Sequence, residues 1–345
     1  MIKIKIIKHI EGNRWDGLLK FQHIMKKNGI TIVNDMKSAD VLLYTIDSRI
    51  NFTNLPKDQR NLLINSKIPV IIVERLDSAV TWFREFDEIP NLKAVFKNRI
   101  ARPASINNET LYCGRYHYQL IYNKCKNDKS YVYVRQTDRS ANWKERKLRP
   151  ISDENLKKIK SVIWDFHSSY WSKRCIPFKN MTKNIDFDAP REYDVFCVVR
   201  DKPGIQGWAR SRAKRIVQKM KGIKSLTKPL ERNDYRNKLI QSKIGVACFG
   251  HGEWIHQDSY CFISGVVLIK PDTSYVDMYP DLYQNNKTYI SCKADYSDLQ
   301  EKINMILSNY DDYKEMRIRN RKMILDITEE HLTKQFCDAV KDSIK

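Results

Sequence analysis

The sequence predicts an α/β chain of two wound units, each a parallel sheet with helices between its strands. Three observations carry this. Strand-like and helix-like segments alternate from residue 2 to residue 74, lapse between 100 and 185, and resume from 190 to 320. The chain's 345 residues exceed one ordinary domain and suffice for two, each with its own core. Its composition, 42% hydrophobic and 30% charged, is that of a folded chain and excludes intrinsic disorder.

The first unit opens on "IKIKIIKHI", whose period of two suits a strand and whose lysines interrupt any signal-peptide core. "RWDGLLKFQHIMKKNG" then reads as a helix closed by Gly29, and "ITIV" and "ADVLLYT" as strands. "LPKDQRNLLINSK" reads as a second helix, and "IPVIIVE" as a strand buried on both faces. Further on, the tyrosine alternation of "YHYQLIY" and "SYVYVRQ" predicts two more strands. "SDENLKKIKSVIWDFHSSYW" predicts a long helix started by Ser152 with acidic residues in its first turn.

The second unit begins with the strand "YDVFCVVR" and the helix "WARSRAKRIVQKMKG", closed by Gly222. "ERNDYRNKLIQSK" is a helix, "IGVACF" a strand, "DSYCFISG" a short helix and "VVLIKP" a strand, before a long helical run from Tyr296 to Asp326. Polarity and Pro190 place the boundary: a first domain over 1–185, a second over 186–325, and an amphipathic segment over 326–345 suited to pack back on the first.

Eight cysteines lie scattered without a C-x-x-C pair, several inside apolar runs, which fits reduced buried thiols and a cytoplasmic setting and gives no zinc site. No H-E-x-x-H pattern occurs, so no metal is expected. No apolar run approaches the roughly 20 residues that span a bilayer. The formal net charge of +21 attracts polyanions: nucleic acid, an anionic membrane surface or phosphate groups. A lysine-rich solvated surface would carry the same charge. Two basic stretches stand out, 135–150 and 200–222.

Two wound units commonly face each other across a cleft, with ligand at the carboxyl ends of their strands. Phe249 ends one such strand, and Gly250, His251 and Gly252 follow it. Glycine there lets backbone N–H groups approach an anion with no Cβ in the way, although the third glycine of G-x-G-x-x-G is replaced by Ile255. Glu253 also suits an ordinary solvated loop, and Asp258 suits the N-cap of the next helix.

The stretch "FGHGEWIHQDSYCFISGVVLIKPD", with "DMYPDLYQNNKTYISCKADYSDLQEKI" after it, resembles the nucleotide-sugar domain of GT-B glycosyltransferases, in particular exostosin-like and group-1-like sets of bacteria, phages and large DNA viruses. The resemblance covers residues 235–330, and "RWDGLLKFQHIMKKNGITIVNDMKSADVLLY" looks like the Rossmann-type first domain of such enzymes. It implies two Rossmann-like domains facing across a cleft. Two departures stand out: Gln257 where the family commonly has Arg, and Tyr260 where it has a Glu that holds the donor ribose.

That resemblance implies a donor site formed by Arg200, Lys202, Arg210 and Arg212, by Gly250, His251, Gly252 and Glu253, and by Asp258, Tyr260 and Lys270. The cations replace a metal at the diphosphate of a UDP- or GDP-sugar, which is a co-substrate, so no cofactor is expected. Asp16, Glu74 and Asp77, at strand ends of the first unit, are candidate bases for an acceptor hydroxyl on a glycan or a modified nucleobase. Trp15 suits a sugar platform or the core. The competing expectation is an inactive chain of the same fold that binds nucleic acid or another polyanion.

Overall fold

The computed structural model describes residues 1–8, 21–46, 52–74, 78–128, 145–162, 176–200, 202 and 204–345. In chain order the strands are β1 (Ile2–Lys8), β2 (Ile30–Val33), β3 (Val41–Ile46), β4 (Val70–Glu74), β5 (Leu92–Lys97), β6 (Arg99–Ala101), β7 (Thr110–Tyr112), β8 (Glu145–Lys147) and β9 (Ile159–Ser161). They continue with β10 (Tyr193–Phe196), β11 (Ser225–Leu226), β12 (Ser242–Val246), β13 (Val267–Pro271), β14 (Val276–Met278) and β15 (Ile290–Cys292).

Among the described residues one sheet runs β2-β1-β3-β4-β5-β9 and another β11-β10-β12-β13-β15, parallel throughout. Both therefore follow the doubly wound order in which the second strand lies outside the first and the third beside it. The chain is α/β with two Rossmann-like units, as the strand–helix rhythm predicts. Continuous apolar strands occupy the sheet centres: every residue of Val41–Ile46, Val70–Glu74 and Val267–Pro271 is buried, as helices on both faces require.

Three features depart from the sequence reading. "YHYQLIY" is not a strand but part of the helix Tyr116–Cys125, which buries Tyr118, Ile121 and Cys125. That three-to-four spacing, packed against the helix Gly204–Lys219, overrides the tyrosine alternation. Ser152 caps a helix as expected, its Oγ accepting from the Asn155 N–H at 3.3 Å, but the helix ends at Leu156 because Ile159 joins the sheet beside Val95. "SYVYVRQ" lies outside the described residues.

The third departure concerns the units' separation. β6, from the first half of the chain, pairs antiparallel with β14 from the second. Ala101, Ile106, Leu111, Tyr118 and Ile121, all before residue 185, are buried among second-unit residues such as Phe196, Val195 and Ile244. In the opposite direction, the helix Glu329–Ile344 places Phe336, Cys337 and Val340 against Ile4, Met25, Ala94 and Phe96 of the first sheet. Each half thus supplies part of the other's core.

Candidate functional site: the crevice between β10 and β12

In a doubly wound sheet the loops after the first and third strands diverge, which leaves a crevice at the carboxyl edge. In the second sheet these strands are β10 and β12. The chain leaves β10 through Cys197, Val198 and Val199, surfaces at Arg200, and enters the helix Gly204–Lys219. Gly204 has φ +65°, and a Cβ on Gly207 would stand 1.6 Å from the Lys202 carbonyl oxygen. The loop backbone therefore lies directly on the buried first turn of that helix.

Across it, β12 continues to Phe249 and turns tightly, the Gly250 N–H donating to the Gly252 carbonyl at 3.1 Å. A Cβ on Gly250 would meet the Ile255 side chain at 2.8 Å. Arg210 bridges the two walls, donating from Nη1 to the Arg200 carbonyl and from Nη2 to the Phe249 carbonyl, each at 3.2 Å. Gln206 Nε2 donates to the Gly250 carbonyl at 2.6 Å and to the Tyr118 hydroxyl at 2.5 Å. Arg212 leans to the end of β15, its Nε 2.6 Å from the Asp295 carbonyl. Arg200, Lys202 and His251 are exposed and Arg210 half-buried. The structure thus gathers Arg200, Lys202, Arg210, Gly250, His251 and Gly252 at one crevice.

Other expected donor residues point inward. Glu253 is fully buried, with Oε1 2.9 Å from His117 Nδ1 and Oε2 accepting from the Ala79 N–H at 3.0 Å. Both oxygens serve the junction between the units, so neither faces a sugar. Burial opposes its charge, but His117 and Arg99 more than offset this and its pKa falls to about 2. Burial, the largest cause, lowers the pKa of His117, and the Glu253 carboxylate opposes that shift.

Asp258 is not an N-cap. It sits at the third position of the helix His256–Ser264, where its Oδ2 accepts from the Ile255 N–H (3.1 Å), Lys270 Nζ (2.7 Å) and the Tyr283 hydroxyl (2.6 Å). Lys270 is fully buried in that pair and turned away from any ligand. Tyr260 lies in the core with its ring 5.8 Å from the Arg236 guanidinium, and Gln257 donates to the Val246 carbonyl at 2.9 Å. The helix face that a ribose-holding carboxylate would occupy is used here for packing.

In the first unit, Glu74 is not a free base. Its Oε1 accepts from Lys97 Nζ at 3.0 Å and the Trp82 N–H at 2.9 Å, and its Oε2 from the Phe83 N–H at 3.3 Å, all in the interior. Asp16, Trp15 and Asp77 lie outside the described residues. Sequence reasoning missed His117, Gln206, Arg115 and Trp82. His117 sits in the stretch misread as a strand and Arg115 immediately before it, and a helical reading of "YHYQLIYNKC" would have put His117 on the buried face. No described group of three His, Cys, Asp or Glu could hold a metal, and no described helix is long and apolar enough to cross a membrane.

No family model matches the chain, and no curated protein does, so the exostosin-like and group-1-like resemblance rests on the quoted motif alone. Solved structures show a faint likeness over the whole chain. An α-glucosyltransferase bound to UDP-glucose and abasic DNA is 10% identical, with TM-score 0.43, covering 100% of this chain and 99% of its own. A DNA-modifying β-glucosyltransferase is 12% identical, with TM-score 0.41 and 99% of each chain covered. A putative UDP-N-acetylglucosamine 2-epimerase from Listeria monocytogenes is 11% identical, with TM-score 0.39, covering 99% and 96%. Likeness at this level fixes neither reaction nor substrate.

Proposed function

We propose that the chain is a glycosyltransferase that takes a sugar from a nucleoside diphosphate and passes it to a hydroxyl acceptor without a metal. The observation that supports this most is Arg210, whose guanidinium ties the loop after β10 to the loop after β12 at the open crevice of the second sheet. Around it lie Arg200, Lys202 and a glycine turn, a setting suited to a diphosphate. As the sugar departs, negative charge grows on that diphosphate. Cations already in place lower the barrier without reorganising. Gln206 holds Gly250 in position for this, and Asp16 and Asp77 are the remaining candidates for the acceptor base.

Thermal melting in the presence of UDP or GDP tests the reading. Binding to the folded state alone raises the midpoint by mass action. The expected result is a rise without added magnesium or manganese. Melting unchanged by either nucleotide, with and without metal, removes the donor site.

A further inference from the structure

We infer that Trp82, Arg115 and Arg146 form a docking site for the phosphodiester backbone of a nucleic acid, beside the Gly250–Gly252 turn. Trp82 is fixed at both ends. Its N–H donates to Glu74 Oε1 at 2.9 Å and its indole Nε1–H to the Gly114 carbonyl at 2.9 Å. Gly114, at φ +64°, lets the ring lie on its backbone, since a Cβ there would stand 3.0 Å from the indole. Onto this ring converge two guanidinium groups from separate elements, Arg115 at 5.9 Å and Arg146, on β8, at 5.8 Å from the centroid.

The neighbouring arginine makes the contrast. Arg149, three residues beyond Arg146, is paired with Glu88 and, at 3.3 Å, with Asp87. Arg146 has no acidic partner among the described residues, and its buried Nε lacks any hydrogen-bond acceptor. An indole face holds a guanidinium in place but leaves its charge unneutralised. Arg115 also donates to the His251 carbonyl, so the cluster adjoins the Gly250–Gly252 turn.

Two guanidinium groups held by one rigid ring, of which Arg115 keeps one N–H on the His251 carbonyl, suit successive phosphates of a chain better than a single small anion. The net charge of +21 supplies the long-range attraction that such a polymer needs. As an acceptor subsite the cluster rests on the transferase reading; its affinity for nucleic acid does not.

Fluorescence anisotropy with labelled single-stranded and duplex DNA 20-mers, between 50 and 200 mM salt, tests the site. Arg146→Ala is expected to weaken binding about tenfold and to flatten the log K against log salt slope by roughly 0.9 for duplex or 0.7 for single strands. Arg146→Lys, which keeps the charge, retains the slope and loses affinity, whereas Arg149→Ala stays within about twofold of the parent. UDP-induced stabilisation of Arg146→Ala stays at the parent's value. Parent-like DNA binding by Arg146→Ala, or an equal loss in Arg149→Ala, overturns the site. Inorganic polyphosphate that competes as well as DNA at equal charge overturns the choice of nucleic acid. If UDP gives no stabilisation while the DNA results hold, the transferase reading falls and the docking site stands.

Discussion

At the end of β4, Glu74 meets Lys97, and in the second sheet Lys270, on β13, meets Asp258; each sheet's fourth strand thus carries one member of a fully buried ion pair. Their hydrogen-bond accounts differ. Donors to Glu74 are shared over both oxygens, two on Oε1 and one on Oε2. Around Asp258 three donors crowd onto Oδ2, and Oδ1 has no partner. Charge balance alone would call the pairs alike. The distribution of donors says that one carboxylate is indispensable in form and the other only in part.

The strongest test of this difference is Glu74→Gln. It leaves Lys97 without its anion and turns an amide N–H toward a backbone N–H, and is expected to cost about 3–5 kcal/mol in urea unfolding. Asp258→Asn should cost about 2 kcal/mol, because the amide oxygen can take all three donors while the NH2 fills the position that has none. Equal losses in the two variants would show that charge, not donor placement, governs both sites.

Interior and rim are separated by Arg210→Ala. This change should leave the ligand-free melting temperature near the parent's while weakening UDP binding by about 1.5 kcal/mol, or roughly tenfold, in calorimetry. A loss of stability with unchanged UDP affinity would assign Arg210 to the fold instead of the ligand.

The smallest effect is one of pH. His117 has a folded pKa below its ordinary 6.5, so the unfolded chain binds a proton that the folded chain refuses. The stability concerned is present above 6.5 and falls as the pH drops, by up to about 0.7 kcal/mol between pH 7 and 6. Glu253, depressed from 4.5 to about 2, adds a second loss only at much lower pH. In His117→Gln the change between pH 7 and 6 should disappear; if it persists, another group carries it.

Much of the fold was legible because its strands are continuous apolar runs and its helices end at glycines, as at Gly29 and Gly222, both with positive φ. What escaped has long sequence separation in common. Nothing in "GHGE" signals that Glu253 is held by Ala79 and His117, and nothing in "VDM" signals that it pairs with "RIA". The loops at Arg200 and Gly250, which Arg210 joins, were legible as loops from their glycines and polar residues. The inward turn of Asp258, Tyr260 and Lys270 was not, because one-dimensional spacing does not reveal which helix face is covered.

The helix Glu329–Ile344, which covers the first sheet, also orders events during synthesis. Ile4, Met25 and Phe96 leave the ribosome early, yet the Phe336 and Val340 that bury them are translated after more than two hundred further residues. The sheet made first is therefore finished late, with an apolar face open while the second unit is still being made. A chain stopped anywhere before residue 329 keeps that face exposed, which makes the incomplete product a client for chaperones instead of a working half.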